Sequence, residues 1–213
     1  MLCAFNNVQL RWPHVAPWIY LVSDQSLPKA SVQFSVKSGD LVWLRGANGV
    51  GKTTWMRMVA GLLPMSGDIS WCAPTARREP MHGFFRPFLP SLDEYVQCDL
   101  MVAQEFLRRM QSPIQPALLD KLLCRFGLLA VRYYPVHALS SGQRLRLSLV
   151  PLCYTQYSIW LLDEPFAHLD DVACQLVRSL MSTHRARGGV VFLASHFVEE
   201  LVDKTIELSR SHV

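Results

Sequence analysis

Gly46-Ala47-Asn48-Gly49-Val50-Gly51-Lys52-Thr53-Thr54 is the stretch from which the rest of the chain is read. It fits G-x-x-x-x-G-K-[ST], the pattern of a loop that cradles phosphate. Its flanks suit the pattern. Leu41-Val42-Trp43-Leu44 reads as a short buried strand leading in. From Thr54 onward the spacing predicts a helix, with Met56, Val59, Ala60 and Leu63 on one face. Each part has a chemical task. The glycines let the backbone approach phosphate and aim several N–H groups at it. The helix adds the positive end of its dipole. Lys52 reaches the β- and γ-phosphates, and the Thr53 hydroxyl is a ligand for Mg²⁺.

Composition limits what surrounds this loop. The chain has 213 residues, half of them hydrophobic, enough for one sizeable core. Six cysteines are scattered without a C-x-x-C pair, which favours reduced thiols over a disulfide framework or a metal site. No charged residue precedes Arg11 and no cleavage-type segment is present, so no signal peptide is expected. The longest uncharged run, 147–162, is too short to span a membrane. The net charge of +4 is mild. Arg77-Arg78, Arg108-Arg109 and Arg185/Arg187 are separate pairs and form no stripe, so no nucleic-acid partner is expected.

Taken in order, residues 2–10 read as a strand, 18–22 as a loop or an edge hairpin, and 31–36 as a half-buried strand with period two. Gly61 and Pro64 stop the first helix, and a short strand follows at 69–72. Four prolines and several aromatics mark 73–90 as a loop. Residues 90–138 read as a helical insert. It holds a capping box at 91–94 and a helix over 117–126, with Leu118, Leu119, Leu122 and Leu123 apolar and Gly127 at its end. A helix then runs from the segment 139–143 to about 154. A buried strand at 158–162 ends in Asp163-Glu164, a long helix covers 171–187, and Gly188-Gly189 breaks it. A central strand over 190–195 delivers His196, followed by a short helix at 197–202 and a last strand at 205–208.

The apolar run closing on Asp163-Glu164 is the second strong signal. In phosphate-loop enzymes an Asp at such a strand end holds Mg²⁺. A carboxylate beside it can act as general base on the attacking water, which makes Glu164 the candidate base. The third signal is Leu139-Ser140-Ser141-Gly142-Gln143. It resembles the signature of the ATP-binding cassette ATPases, usually L-S-G-G-Q, with Ser141 in the place of a glycine. The four motifs (phosphate loop, signature, acidic pair, histidine after the next strand) stand in that family's order and cover nearly the whole chain.

That resemblance implies an α/β phosphate-loop fold over 1–213 as a single cassette domain. Its core sheet is mainly parallel, with an antiparallel β-subdomain at the N-terminus and an α-helical subdomain inserted at about 90–138. It implies ATP and Mg²⁺ as cofactors, the metal held by Thr53 and Asp163. The roles it assigns are phosphate binding for Gly46 to Thr54, γ-phosphate contact for His196, and γ-phosphate contact from a second copy for Ser140, Ser141, Gly142 and Gln143. Lys52, Glu164 and His196 are then the catalytic set. Ala167-His168-Leu169-Asp170 would be the dimer-contact loop, and Trp12 stands where the family stacks an aromatic on adenine. One departure concerns the Gln that the family places before the helical insert. No Gln lies between Gln33 and Gln97. The candidate by position is His82, a poor ligand for a hard metal.

Finer details resemble the branch of the family that serves cytochrome c biogenesis through haem export. These are the compact length, the Leu-Ser-small-Gly-Gln signature, Trp160 to Phe166, Gly188-Gly189-Val190-Val191 and the absent Gln. This implies a homodimer of ATPase subunits on integral membrane permease subunits. It would be peripheral on the cytoplasmic face of the inner membrane, or on the matrix face of the mitochondrial one. The alternatives are the ATPase of another small exporter and a soluble cassette ATPase without a membrane partner. The soluble kind usually carries two cassettes or long inserts, which this chain lacks.

Overall fold

A computed structural model of the chain describes residues 3–9, 20–22, 34–63, 66–71, 115–154, 157–196 and 202–209. The chain divides into two compact units. The first comprises Met1–Leu89, Tyr157–Glu164 and Thr183–Val213, the second Pro90–Gln156 and Pro165–Ser182.

Two sheets build the first unit. Strands β1 (Cys3–Gln9), β3 (Phe34–Val36) and β5 (Ser66–Trp71) form an antiparallel sheet in the order β3-β1-β5. The second sheet has the order β2-β8-β4-β7-β6, from β2 (Tyr20–Val22), β8 (Lys204–Ser209), β4 (Leu41–Arg45), β7 (Val190–Ala194) and β6 (Ile159–Asp163). Strands β8, β4, β7 and β6 are mutually parallel; β2 lies antiparallel at the edge. The hydrophobic patch at 18–22 is thus an edge strand over its last three residues. A parallel sheet is covered on both faces, and its central strands are apolar throughout. All five residues of β7 are buried, as are the first four of β6.

Helix α1 (Lys52–Val59) supplies one cover. Its Trp55, Met56, Met58 and Val59 are buried with Val42, Leu44, Leu161, Phe192, Ala194, Ile206 and Leu208. The Trp55 and Phe192 rings lie 5.4 Å apart and tilted. Burying side chains of this size contributes roughly 1.5–3 kcal/mol each. The helix begins two residues before the expected Thr54 and is short. Gly61 takes φ 76°, its N–H bonds to the Met58 carbonyl, and the Leu62 N–H bonds to the Arg57 carbonyl. That paired closure ends the helix. Ala60 and Leu63 therefore pack against the core from its end and beyond it.

The second unit is helical where it is described. Of the insert expected over 90–138, residues 115–138 carry α2 (Pro116–Arg125) and two single 3₁₀ turns. Leu119, Leu122 and Leu123 are buried, while Leu118, read as part of that face, is 44% exposed. Leu118 lies one turn before Leu122, just outside the solvent edge of the stripe. Helix α3 (Ser141–Leu149) is shorter than the run to 154 that was expected. Pro151 has no N–H to continue the ladder, and Val150–Cys153 tightens into a 3₁₀ turn. Helix α4 (Asp171–Ala186), whose residues from Thr183 on belong to the first unit, matches its expected span and ends where Gly188 adopts φ 89°. The proline-rich loop at 73–90, the capping box at 91–94 and nearly all of the short helix at 197–202 lie outside the described residues.

Candidate functional site

In the first unit, the carboxyl ends of β4, β7 and β6 come out on one edge of the sheet, where open α/β sheets bind their ligands. Strand β4 leads into the phosphate loop, β7 into His196, and β6 into Glu164. Residues 46, 163 and 196, far apart in sequence, are thus gathered by strand order alone.

The loop has the shape its sequence demands. A Cβ on Gly46 would lie 2.7 Å from the Leu208 carbonyl and 2.8 Å from a Val50 methyl, so only glycine fits. Gly51 adopts φ 109° at the N-cap of α1, and no side chain caps that helix end. The first-turn N–H groups are therefore open to an anion, which is how phosphate is held at a helix start. Lys52 Nζ donates to the Gly46 carbonyl at 2.8 Å and to the Ala47 carbonyl at 3.3 Å. An ammonium has three donors, so this pose pins the cation to the loop with one N–H for a phosphate oxygen.

The Thr53 hydroxyl donates to the Asp163 carboxylate across 110 positions of sequence. A hydroxyl beside a carboxylate at a phosphate loop is a hard-oxygen donor set, and it fits Mg²⁺. Next to Asp163, Glu164 sits at φ 45°, an uncommon conformation for a residue with a side chain. Its backbone N–H donates to the Ala194 carbonyl at 2.8 Å, which extends the β6–β7 ladder and holds the turn in place. Backbone held this way costs of order 1–3 kcal/mol and clusters at functional sites. Glu164 Oε1 is buried with no hydrogen-bond partner among the described residues, and it lies 3.5 Å from His196 Nε2. A buried acceptor with no hydrogen bond among the described residues, and only an imidazole nitrogen at 3.5 Å, suits a base that takes a proton from water. The His196 ring is itself 58% exposed. The indole of Trp43, on β4, donates to the carbonyl of Ser195 at 3.0 Å. Nothing in the sequence marked Trp43, which reads there as one more apolar strand residue.

The signature segment lies in the second unit. Ser140 is the N-cap of α3; its Oγ accepts from the Gln143 N–H at 3.2 Å, and Gln143 Oε1 accepts from the Ser140 N–H at 3.0 Å. This is a complete capping box. Ser141 is exposed, so the hydroxymethyl group in place of a glycine costs no packing. Gly142 is different. A Cβ there would lie 2.8 Å from the His168 carbonyl, and His168 holds φ 57° in the segment 167–170. Asp170 completes the contact. Its Oδ1 caps α4 by accepting from the Ala173 N–H at 2.8 Å, and its Oδ2 lies 3.7 Å from Arg146 of α3. The structure thus brings together Gly46 to Thr54, Asp163, Glu164 and His196 in one unit, and Ser140 to Gln143 with residues 167–170 in the other. Trp12 and His82 lie outside the described residues.

Known proteins resemble the chain along most of its length. Residues 30–167 match the ABC transporter family. The chain is 34% identical to the cytochrome c biogenesis ATP-binding export protein CcmA of Nitrosococcus oceani, covering 84% of each chain. It is also 34% identical to the protein of the same name from Haemophilus influenzae, over 75% of this chain and 77% of that one. Among solved structures, an ABC transporter ATP-binding protein from Pyrococcus furiosus superimposes with a TM-score of 0.74. It covers 99% of this chain and 100% of that one at 16% identity, a likeness of fold.

Proposed function

The chain belongs to the ABC transporter family, in its cytochrome c biogenesis ATP-binding export branch, and from that membership we propose that it is the subunit whose ATP hydrolysis drives haem export, or release of a haem-loaded chaperone, for cytochrome c assembly. The observation that carries this reading is the 34% identity with a cytochrome c biogenesis export ATPase over 84% of both chains. The site supports the hydrolytic part.

We assign the roles as follows. The N–H groups that open α1 and the Lys52 ammonium bind the β- and γ-phosphates. Thr53 and Asp163 would hold Mg²⁺, which when bound neutralises charge on the phosphate oxygens. Glu164 takes the proton of the attacking water. His196 donates to the γ-phosphate and keeps Glu164 oriented. Ser140 and the N–H groups that open α3 reach the nucleotide of a second copy, so two copies enclose two ATP molecules. Hydrolysis removes the γ-phosphate contacts, and the pair loosens because ATP and ADP hold it with different strength.

Among the described residues no helix is long and apolar enough to cross a membrane. Membrane attachment therefore comes, in this reading, from integral permease subunits at the cytoplasmic face. Expression in a bacterium lacking its own cytochrome c biogenesis ATPase tests the proposal, with haem staining of c-type cytochromes as the readout. Restored staining that Lys52→Ala abolishes is the expected result. An active ATPase that restores none, and that purifies in mild detergent with a lipid or sugar permease, would overturn the haem assignment while leaving the hydrolytic one in place.

A further inference from the structure

His196 is mounted on the last residues of β7, and the way they are held is unusual. Strands β4 and β7 form a parallel ladder from the Leu41–Val191 pair to the Trp43–Leu193 pair. Beyond it the chain runs on through Ala194, the last residue of β7, to Ser195. On the β6 side the Ala194 carbonyl is held by the backbone N–H of Glu164 at 2.8 Å. On the β4 side, past the last ladder pair, the bond comes from a side chain: the Trp43 indole N–H reaches the Ser195 carbonyl at 3.0 Å. Ser195 as a whole is 5% exposed. The Arg45 guanidinium lies 5.6 Å from the centre of the Trp43 ring system, a cation over its face. The exposed imidazole of His196 thus depends for its aim on the peptide that carries it.

We infer that Trp43 is a positioning residue for hydrolysis, its indole N–H fixing the Ser195 peptide so that His196 stands against Glu164. Strand β4 also opens into the phosphate loop. One strand therefore anchors both the loop that holds the phosphates and the histidine that contacts the γ-phosphate. Trp43 touches neither nucleotide nor water; it acts through Ser195. The inference rests on the roles proposed for Glu164 and His196.

The test is steady-state ATP hydrolysis by the full chain with Mg²⁺, in four variants. Trp43→Phe keeps an aromatic ring and deletes the donor. It should lower kcat about tenfold, since misplacement of a group by a fraction of an ångström costs this order of rate, and leave KM for ATP within about twofold. Trp43→Gln restores an N–H donor the same number of bonds from Cα, and should recover kcat to within about threefold of wild type. His196→Ala alone should reduce kcat sharply. Adding Trp43→Phe to it should change kcat by less than about twofold, because the two residues act as one unit. Wild-type kcat in Trp43→Phe, or an equal loss from Trp43→Phe in both backgrounds, would overturn the inference; the second outcome would make Trp43 a packing residue. Where Trp43→Phe does not fold, Trp43→Gln carries the test, and a tenfold loss at unchanged melting temperature overturns it. Wild-type turnover in His196→Ala is a separate result, and it would remove the role of His196 on which the inference stands.

Discussion

Two residues show how differently one side chain can be set to work. Lys52 makes bonds to carbonyls of its own loop that also aim it for phosphate. Lys52→Ala is expected to weaken ATP binding by about 100-fold, the scale of a lost hydrogen bond to a charged group at roughly 1.5–3 kcal/mol. Nucleotide titration calorimetry checks it, and undiminished affinity would sink the phosphate-loop assignment. His184 is set apart from the reacting edge. Its ring stacks on Trp160 at 3.8 Å and 7°. Burial pushes the imidazole down from 6.5 to about 4, against the opposing pull of backbone groups of Val190 and Ser158. The folded chain therefore binds fewer protons than the unfolded one between those values. Stability from the neutral ring is complete above pH 6.5 and is lost as pH falls towards 4. His184→Phe keeps a ring on Trp160 and removes the titration. Urea midpoints of the two chains should keep a constant separation above pH 6.5 and shift in favour of the variant below it. A separation independent of pH down to 4 would contradict a neutral, buried His184.

At the scale of elements, helix ends carry the chemistry. Helix α1 has no side-chain cap and offers its N–H groups to a ligand, whereas α3 is closed by a reciprocal box between Ser140 and Gln143. Ser140 thus stabilises its own helix besides the contact proposed with the nucleotide of a second copy. Ser140→Ala should lower stability by about 1 kcal/mol, and Ser140→Thr should keep most of it. Thermal unfolding reads the capping effect and ATP turnover reads the other. A turnover loss no larger than the stability loss explains would leave Ser140 a cap and nothing more. The far end of α4 is shaped by contact: a Cβ on Gly189 would overlap the His184 ring, and Arg185 Nε donates to the Gly39 carbonyl at 2.8 Å. The turn that opens β7 is thereby fastened to the turn that opens β4.

For the whole molecule, the two halves of the proposed site belong to different units, and the proposed scheme has each meet its complement on a second copy. Glu164→Gln should bind ATP normally, turn over about 10²–10⁴ times more slowly, and accumulate as an ATP-bound dimer. Light scattering after gel filtration with and without ATP shows this directly, and a variant that stays monomeric with ATP bound would remove the two-copy scheme. Most of the fold was legible in the sequence because periodicity and punctuation are local. Apolar runs marked β4, β6 and β7, Gly61 and Gly188 marked helix ends, and G-x-x-x-x-G-K-[ST] needed only its own neighbours. The readings that failed were of reach: Pro151 cut α3 short, and Leu63, read on the face of α1, lies beyond the closure at Gly61. The residue types and order of the candidate site were likewise legible, since Lys52, Asp163, Glu164 and His196 each end or follow a recognisable element. What only the tertiary structure decided is which of them touch. The Thr53–Asp163 bond, the approach of His196 to Glu164 and the reach of Trp43 to Ser195 follow from the order in which strands pair. That order is set by which apolar faces bury one another across more than a hundred residues of chain, a property that no local pattern contains.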